Sequence, residues 1–295
     1  MSTVGTIVDR TLRQLLSGTV EERNKLASAL TAAGTSVVLQ YDLGGIRQGQ
    51  IIQIDYELMY VWDISAGSKT VTVERGWNGT TAVAHTNNSI VTVAPKFPRA
   101  QILEAINAEL DDLSSPVNGL FQVKTLDVDY NGTWVMLNLP TPDRILDLLN
   151  VSIRYISSDY PQLAKVRLIR DLPTDDFNSG YALKFDRATR SGRVHVVYKT
   201  AFGNITSDTQ NLQNYTGLPT TCEDIIIMGA QIRLVGPREI KRNFTESQGD
   251  TRRAEEVGSG AIGNSITSLI RMRRDRITAE AARLNRQYPM RLSRG

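Results

Sequence analysis

The stretch VERGWNGTTAVAH, residues 73–85, interrupts a run of alternating apolar and polar residues and decides how the first β region turns. Asn78 and Gly79 can adopt positive φ at little cost, so this pair is typical of a turn between two strands. Trp77 can cover the end of a sheet, and Thr80 can bond to the turn backbone. The stretch therefore predicts a strand, a corner, a loop and a second strand, and nothing in it requires a chemical reaction.

Residues 36–95, on both sides of this corner, repeat with the period of two that half-buried strands show. The pairs Gly44-Gly45 and Ala66-Gly67 separate the segments as turns. We expect a small antiparallel sheet or barrel-like meander. Its strands are predicted in the segments SVVLQY, QIIQID, ELMYVWDI, KTVTVERGW and SIVTVAP.

Helical spacing appears before and after this sheet. Residues 4–16 place apolar side chains on one stripe, and residues 97–113 do so again with Pro98 near the first turn. The segment SGTVEERNKLASAL, residues 17–30, predicts a further helix. In that helix Thr19 is a candidate N-cap, and two leucines four residues apart form a candidate buried face.

A second β-rich region follows, with about six strand-like segments separated by turn signals such as Asn131-Gly132, which suits an antiparallel sandwich. The segment PDRILDLLNVSI, residues 142–153, fits helical spacing as well as a strand, so both interpretations stay open there.

The last third of the chain is predominantly helical in pattern. Residues 222–235 are apolar nearly all round, which predicts a helix that is buried or shared with a partner. Residues 246–263 are rich in glycine and charge and are interpreted as a linker. Residues 264–289 predict a long amphipathic helix with an arginine-rich outer side, ending at Pro289.

These patterns predict an α+β fold. It comprises N-terminal helices with a small antiparallel β-meander in residues 1–116, a β-sandwich-like antiparallel domain in residues 117–206, and long C-terminal helices with a basic tail in residues 207–295. No stretch approaches the roughly 18 consecutive apolar residues of a membrane span, and the first residues do not resemble a signal peptide. We therefore expect no membrane contact and synthesis in the cytoplasm.

Positive charge is concentrated at the C-terminal end. The chain carries +3 overall, whereas residues 271–295 hold eight arginines against two carboxylates, a net +6 that leaves −3 for the rest. Arginines beside an apolar stripe favour contact with an acidic protein surface; contact with nucleic-acid backbone and a plain solvated face are the alternatives. The candidate partner-contact residues are Arg271, Arg273, Arg274, Arg276, Arg283, Arg286 and Tyr288.

Residue types that carry chemistry are sparse. His85 and His195 are the only histidines, and neither has a partner at metal-ligand spacing, so both are interpreted as structural. Cys222 is the one cysteine and is interpreted as a residue near the core. Asp55 and Glu57 lie at a strand corner, where a hairpin turn is the plain explanation. The sequence therefore predicts no catalytic residue, no metal and no cofactor.

The opening stretch resembles a recurrent element of the structural proteins of tailed bacteriophages. In that element a strand ends in Arg-Gly-aromatic-Asn-Gly-Thr-Thr and is followed by Ala-X-Ala-His. The preceding segment GQIIQIDYELMYVWDI is similar to the usual partner, which is a strand, an Asp-X-Glu corner and another strand. The matching residues are Arg75, Gly76, Trp77, Asn78, Gly79, Thr80, Thr81, Ala82, Ala84 and His85.

The C-terminal helices are similar to the closing helices of phage head-to-tail adaptor proteins. With the first motif, the resemblance covers residues 36–113 and 222–289, whereas the middle β region departs from the small, mostly helical adaptors.

The resemblance implies a structural subunit of the phage neck, at the head-to-tail junction of the virion. Such subunits form a ring, implied here to be a dodecamer, which binds the portal protein on one side and a downstream neck or tail protein on the other. Viral DNA passes through the bore without sequence readout. Other tail components, such as a tube-end, baseplate or host-contact protein, are the alternative, and a virion-associated hydrolase is a third hypothesis.

Overall fold

The computed structural model describes residues 2–132, 135–155, 161–186, 190–246 and 261–290. Trp134, most of the predicted linker, and Arg291 and Arg294 of the basic tail lie outside these residues.

The helices at the two ends of the chain pack together around one hydrophobic core. The N-terminus of the first helix is tied to a later segment, since the N–H of Val4 donates to Gln210 and the N–H of Gly5 donates to Asp208. The predicted helices at 4–16, 97–113, 222–235 and 264–289 are confirmed. The helices are α1 (Val4–Leu16), α2 (Arg99–Leu113), the short α3 (Leu212–Thr216), α4 (Glu223–Glu246) and α5 (Ala261–Gln287).

The first β region is a six-stranded antiparallel sheet whose edges meet. Its strands are β1 (Arg23–Lys25), β2 (Ser36–Val38), β3 (Ile51–Ile54), β4 (Glu57–Ser65), β5 (Thr70–Glu74) and β6 (Ile90–Val93), in the order β1-β6-β3-β4-β5-β2. Just beyond the edge strands, Ala27 donates its N–H to Val38 and Gln40 donates its N–H to Lys25, both at 2.9 Å. These bonds close the sheet into a small barrel filled by valine, leucine, isoleucine and Met59, and all five predicted strands are confirmed.

The predicted helix at residues 17–30 is wrong. Part of this segment forms β1, which pairs with β6, and Leu30 exchanges backbone hydrogen bonds with His85 at 2.9 and 2.8 Å. Leu26 and Leu30 are buried, but they point into the barrel core rather than onto a helical face. The spacing of two leucines is compatible with either structure, and pairing with distant β6 overrides the local preference.

The second β region contains two sheets that share a core. One has the order β10-β9-β13-β7 and the other the order β11-β12-β8. The predicted α+β class is confirmed. The strands are β7 (Gln122–Tyr130), β8 (Met136–Asn138), β9 (Ile145–Tyr155), β10 (Gln162–Leu163), β11 (Val166–Ile169), β12 (Ala182–Phe185) and β13 (Gly192–Thr200).

The segment that fitted both interpretations is strand β9. Opposite β13 its register jumps from Asn150 to Leu148, so Leu149 is an extra residue in the ladder. Leu148 then faces the core of the second β region, while Leu149 joins the core of the helices. A bulge re-aims side chains in this way, and it produces the adjacent leucines that imitate helical spacing.

The core of the helices draws on α1 and α2 as well as α4 and α5. Leu120, Phe121 and Phe202, which flank the second β region, also belong to it. The two ends of the chain therefore form one helical unit, and the domain boundaries placed near 116 and 206 stay predictions.

Candidate functional site

The corner residue Arg75 lies at the centre of a network of short hydrogen bonds. Its Nε and Nη2 donate to the two oxygens of Glu57 at 2.6 and 2.7 Å. Nη1 donates to the carbonyls of Thr31 and Gly34, both at 2.7 Å, and Nη2 also donates to the carbonyl of Val83 at 2.6 Å. Five bonds satisfy the guanidinium, which ties the corner to the loop after β1 and to the segment before β6.

The carboxylate of Glu57 is fully buried and saturated with donors. Besides Arg75, it accepts the N–H groups of Gly76 and Val83 at 3.1 Å each, and Nε2 of His85 at 2.9 Å. Burial opposes its ionisation, but the hydrogen bonds from Arg75, His85 and the backbone together outweigh burial, so the pKa of Glu57 lies below its usual value. Glu57 is therefore a charged structural centre.

His85 continues this network to the surface. Its ring is fully buried, with Nδ1 2.9 Å from Oδ2 of Asp55 and Nε2 2.9 Å from Oε2 of Glu57. Burial lowers the pKa of His85, but the hydrogen bonds to Asp55 and Glu57 and their charges outweigh it, and the pKa lies above its usual value. When His85 is protonated, both of its ring nitrogens donate, and its charge together with that of Arg75 balances the two carboxylates.

Backbone conformation fixes the rest of the corner. Gly76 has φ of 65°, and a Cβ there would lie 2.9 Å from the carbonyl oxygen of Thr80, so only glycine fits without a shift. Asn78 adopts φ of 53° within the short 3₁₀ turn Trp77–Gly79. The hydroxyl of Thr80 accepts the N–H of Leu58 at 3.0 Å and donates to the carbonyl of Trp77 at 2.9 Å.

A cleft of about 760 Å³ opens beside the corner, between the barrel, α2 and residues 206–208. Besides the buried Glu57, the acidic residues that line it are Asp55, Glu104 and Asp208, and no arginine or lysine is among the described residues that line it. Leu103 and Val83 contribute apolar surface. We call this cavity, defined by the three carboxylates, the acidic cleft.

The candidate arginines of α5 divide into two groups. Arg273 donates to Glu109 at 2.6 Å and to Asp112 at 2.5 Å, and Arg276 donates to Asp224 at 2.8 Å. These two residues hold α5 against α2 and α4, and are therefore occupied within the chain.

The others face outward. Arg283 pairs with Glu280 of the same helix at 2.6 Å. Arg271, Arg274 and Arg286 are exposed and pair with no acid in the part of the chain that the structure describes. Tyr288 is partly buried against the helical core. The structure therefore does not gather the seven candidates at one place.

Glu109 of α2 is a buried carboxylate in the helical unit. A Cβ on Gly229 of α4 would lie 2.0 Å from its carboxyl carbon, so glycine is what gives this side chain room. Burial raises the pKa of Glu109 against the lowering effect of Arg273 and Arg233. Sequence reasoning missed this residue, because a single glutamate inside an amphipathic helix carries no distinguishing pattern.

The remaining histidine and the cysteine lie away from the corner. Among the described residues, no group of three or more histidine, cysteine, aspartate or glutamate side chains could hold a metal ion. Cys222 is buried, and burial raises the pKa of its thiol to about 11, which makes it a poor nucleophile. His195 bonds to Asp127 on the outer face of the second β region.

The chain matches no protein-family model and no curated protein. Of the helices in the described ranges, none is both long enough and apolar enough to cross a membrane.

Proposed function

We propose that the chain is a structural subunit of the neck of a tailed bacteriophage, forming a ring that joins portal to tail and lets DNA pass. The observation that carries the proposal is the structural role of the phage-like motif in the corner. Arg75 and His85 of this motif meet Glu57 in one buried network, while Gly76 and Thr80 fix the backbone around it. The motif stabilises a rigid corner, which is what a subunit under mechanical load requires.

The outward arginines support a place in an assembly. Arg271 and Arg274 lie on a helix whose other side is already held by ion pairs to α2 and α4. Their charges are therefore presented on a rigid support, and rigid presentation lowers the entropy that binding costs. An acidic surface on a ring neighbour, on the portal or on a downstream neck protein is a fitting partner.

A second candidate function, another tail component that contacts the host, is favoured by an aromatic surface on the barrel. Trp62 is 51% exposed and packs edge-on to Tyr60 at 5.0 Å, and Tyr60 stacks on Trp77 at 4.7 Å. Exposed aromatic rings of this kind are frequent at interfaces, where one face stays available to a partner.

Immunogold labelling separates the two functions. Antibody raised against this chain is applied to intact and to partly disrupted virions of a phage whose genome encodes it, after its reactivity is proven on pure protein. Label at the neck supports the ring subunit, and disrupted particles guard against a covered epitope. Label at the tail tip supports host contact, and absence of label from both preparations would overturn the virion assignment.

A further inference from the structure

We infer that the exposed arginines of α5 dock into the acidic cleft of a second copy of this chain. The inference rests on the proposed ring and names the two surfaces that would join neighbouring subunits.

The donor surface is the outer side of α5. Arg271 and Arg274 lie there without an acidic partner among the residues that the structure describes. Ile270, four residues before Arg274 and therefore beside it on the helix surface, is 48% exposed. Guanidinium groups beside apolar side chains form a surface that gains both ion pairs and hydrophobic burial when an acidic, partly apolar surface covers it.

The acceptor surface is the acidic cleft. Asp55 is bonded to His85, whereas Glu104 and Asp208 have no lysine or arginine among the described lining residues, and the walls include the apolar side chains of Leu103 and Val83. Concave clefts lined by charge of one sign focus the field and attract the opposite charge. The cleft therefore complements the surface of α5 in charge and in apolar character.

The two surfaces belong to different sides of the molecule, so they meet between copies. On α2, Glu109 points to α4 and α5, where it pairs with Arg233 and Arg273. Glu104 lines the cleft and lies five residues earlier, about 140° away around a helix of 3.6 residues per turn. A contact between two different surfaces of identical subunits is heterologous, and it closes into a ring when the rotation permits.

Charge reversal on each surface tests the contact. We would prepare Arg271→Glu/Arg274→Glu and Glu104→Arg/Asp208→Arg. The control Arg154→Glu/Arg167→Glu makes the same charge change as the α5 variant, on exposed arginines of the second β region. Sedimentation velocity at low ionic strength, where surface charges are least screened, measures self-association, and circular dichroism checks folding. If the cleft double variant does not fold, Glu104→Arg alone replaces it.

The inference expects each reversed variant to weaken self-association about a hundredfold, because like charges then face each other. An equimolar mixture of the two variants restores assembly, since each reversed surface meets its opposite charge in alternating copies. The control behaves as wild type.

Three results would overturn the inference: a wild-type chain that stays monomeric, reversed variants that associate normally, or a mixture that stays dissociated. Loss of duplex DNA binding by the α5 variant with unchanged self-association would assign that surface to nucleic acid instead. The labelling result is independent of all of these, so a failed contact does not by itself remove the neck assignment.

Discussion

Glu57 in the barrel and Glu109 in the helical unit are both buried carboxylates that pair with arginine, yet their pKa values shift in opposite directions. The pKa of Glu57 lies below its usual value, and that of Glu109 lies above it. Glu57 receives donors from Arg75, His85 and two backbone N–H groups, whereas the donors to Glu109 among the described residues are the side chains of two arginines.

The difference shows that arginine alone does not decide the charge state of a buried acid. At Glu57 the hydrogen bonds from Arg75 and His85 lower the pKa most, and two backbone N–H groups, which the fold already holds in place, lower it further. Glu57 lies within a corner built from neighbouring strands, and Glu109 depends on residues 124 and 164 positions away. Donors from neighbouring strands therefore surround Glu57 more completely than the two distant arginines surround Glu109.

The largest effect is expected from Arg75→Ala. Its removal leaves Glu57 buried without its main counter-charge, which destabilises a protein by about 3–5 kcal/mol. Urea unfolding followed by tryptophan fluorescence measures the loss, with the exposed Arg47→Ala as control. Because His85 and the backbone still hold Glu57 ionised, the loss should persist at pH 5. A loss no larger than that of the control would contradict the role given to the network.

Arg273→Ala should cost less, about 1–3 kcal/mol at neutral pH, which is typical of a buried polar group that loses its partner. The pKa of Glu109 is already raised, so the carboxyl can take up a proton when its partner is lost. The loss of stability caused by Arg273→Ala should therefore shrink as the pH falls from 7 towards 5, unlike the loss caused by Arg75→Ala. The same unfolding assay decides this, and equal pH behaviour of the two variants would remove the contrast between Glu57 and Glu109.

His85→Gln should remove a pH-dependent part of the stability, and lower it by about 1–2 kcal/mol at pH 6. The folded pKa of His85 lies above the unfolded value of about 6.5. Its contribution is thus fully present below pH 6.5 and is lost as the pH rises through the folded pKa. The lowered pKa of Glu57 acts in the opposite range, since its contribution is present above pH 4.5 and is lost as the pH falls through its folded pKa.

Thermal unfolding between pH 5.5 and 8.5 tests this prediction. Wild type should lose stability across the upper part of the range, while the His85→Gln profile should be flatter there. Parallel profiles would show that folding does not shift the pKa of His85, which would contradict the prediction.

The smallest effect is expected at Asn78. The residue adopts positive φ, which glycine tolerates freely, so Asn78→Gly should change stability by under about 1 kcal/mol. Asn78→Val should destabilise more, because a β-branched residue fits this conformation poorly. Comparing their melting temperatures tests whether the corner depends on its backbone as well as on its charges, and equal values would assign stability to the side-chain network alone.

Much of the fold followed from periodicity. Long amphipathic or apolar runs such as 97–113 and 222–235 have one way to bury their apolar side chains, and they became α2 and α4. The strands around the corner likewise followed from alternation and turn residues. Residues 17–30 did not, because their leucines fit a helix and a barrel strand equally, and pairing with β6 decided between them.

At the corner, too, part of the arrangement followed from the sequence and part from the tertiary structure. By itself, the sequence determined that Arg75, Gly76, Asn78 and Thr80 belong to a tight turn, because turn chemistry depends on neighbours along the chain. It did not bring Glu57 and His85 to Arg75, and it did not separate Arg273 and Arg276, which are paired inside the chain, from the outward Arg271 and Arg274. Only the tertiary structure decided those partners, because the energy of a charged side chain is set by what surrounds it in space.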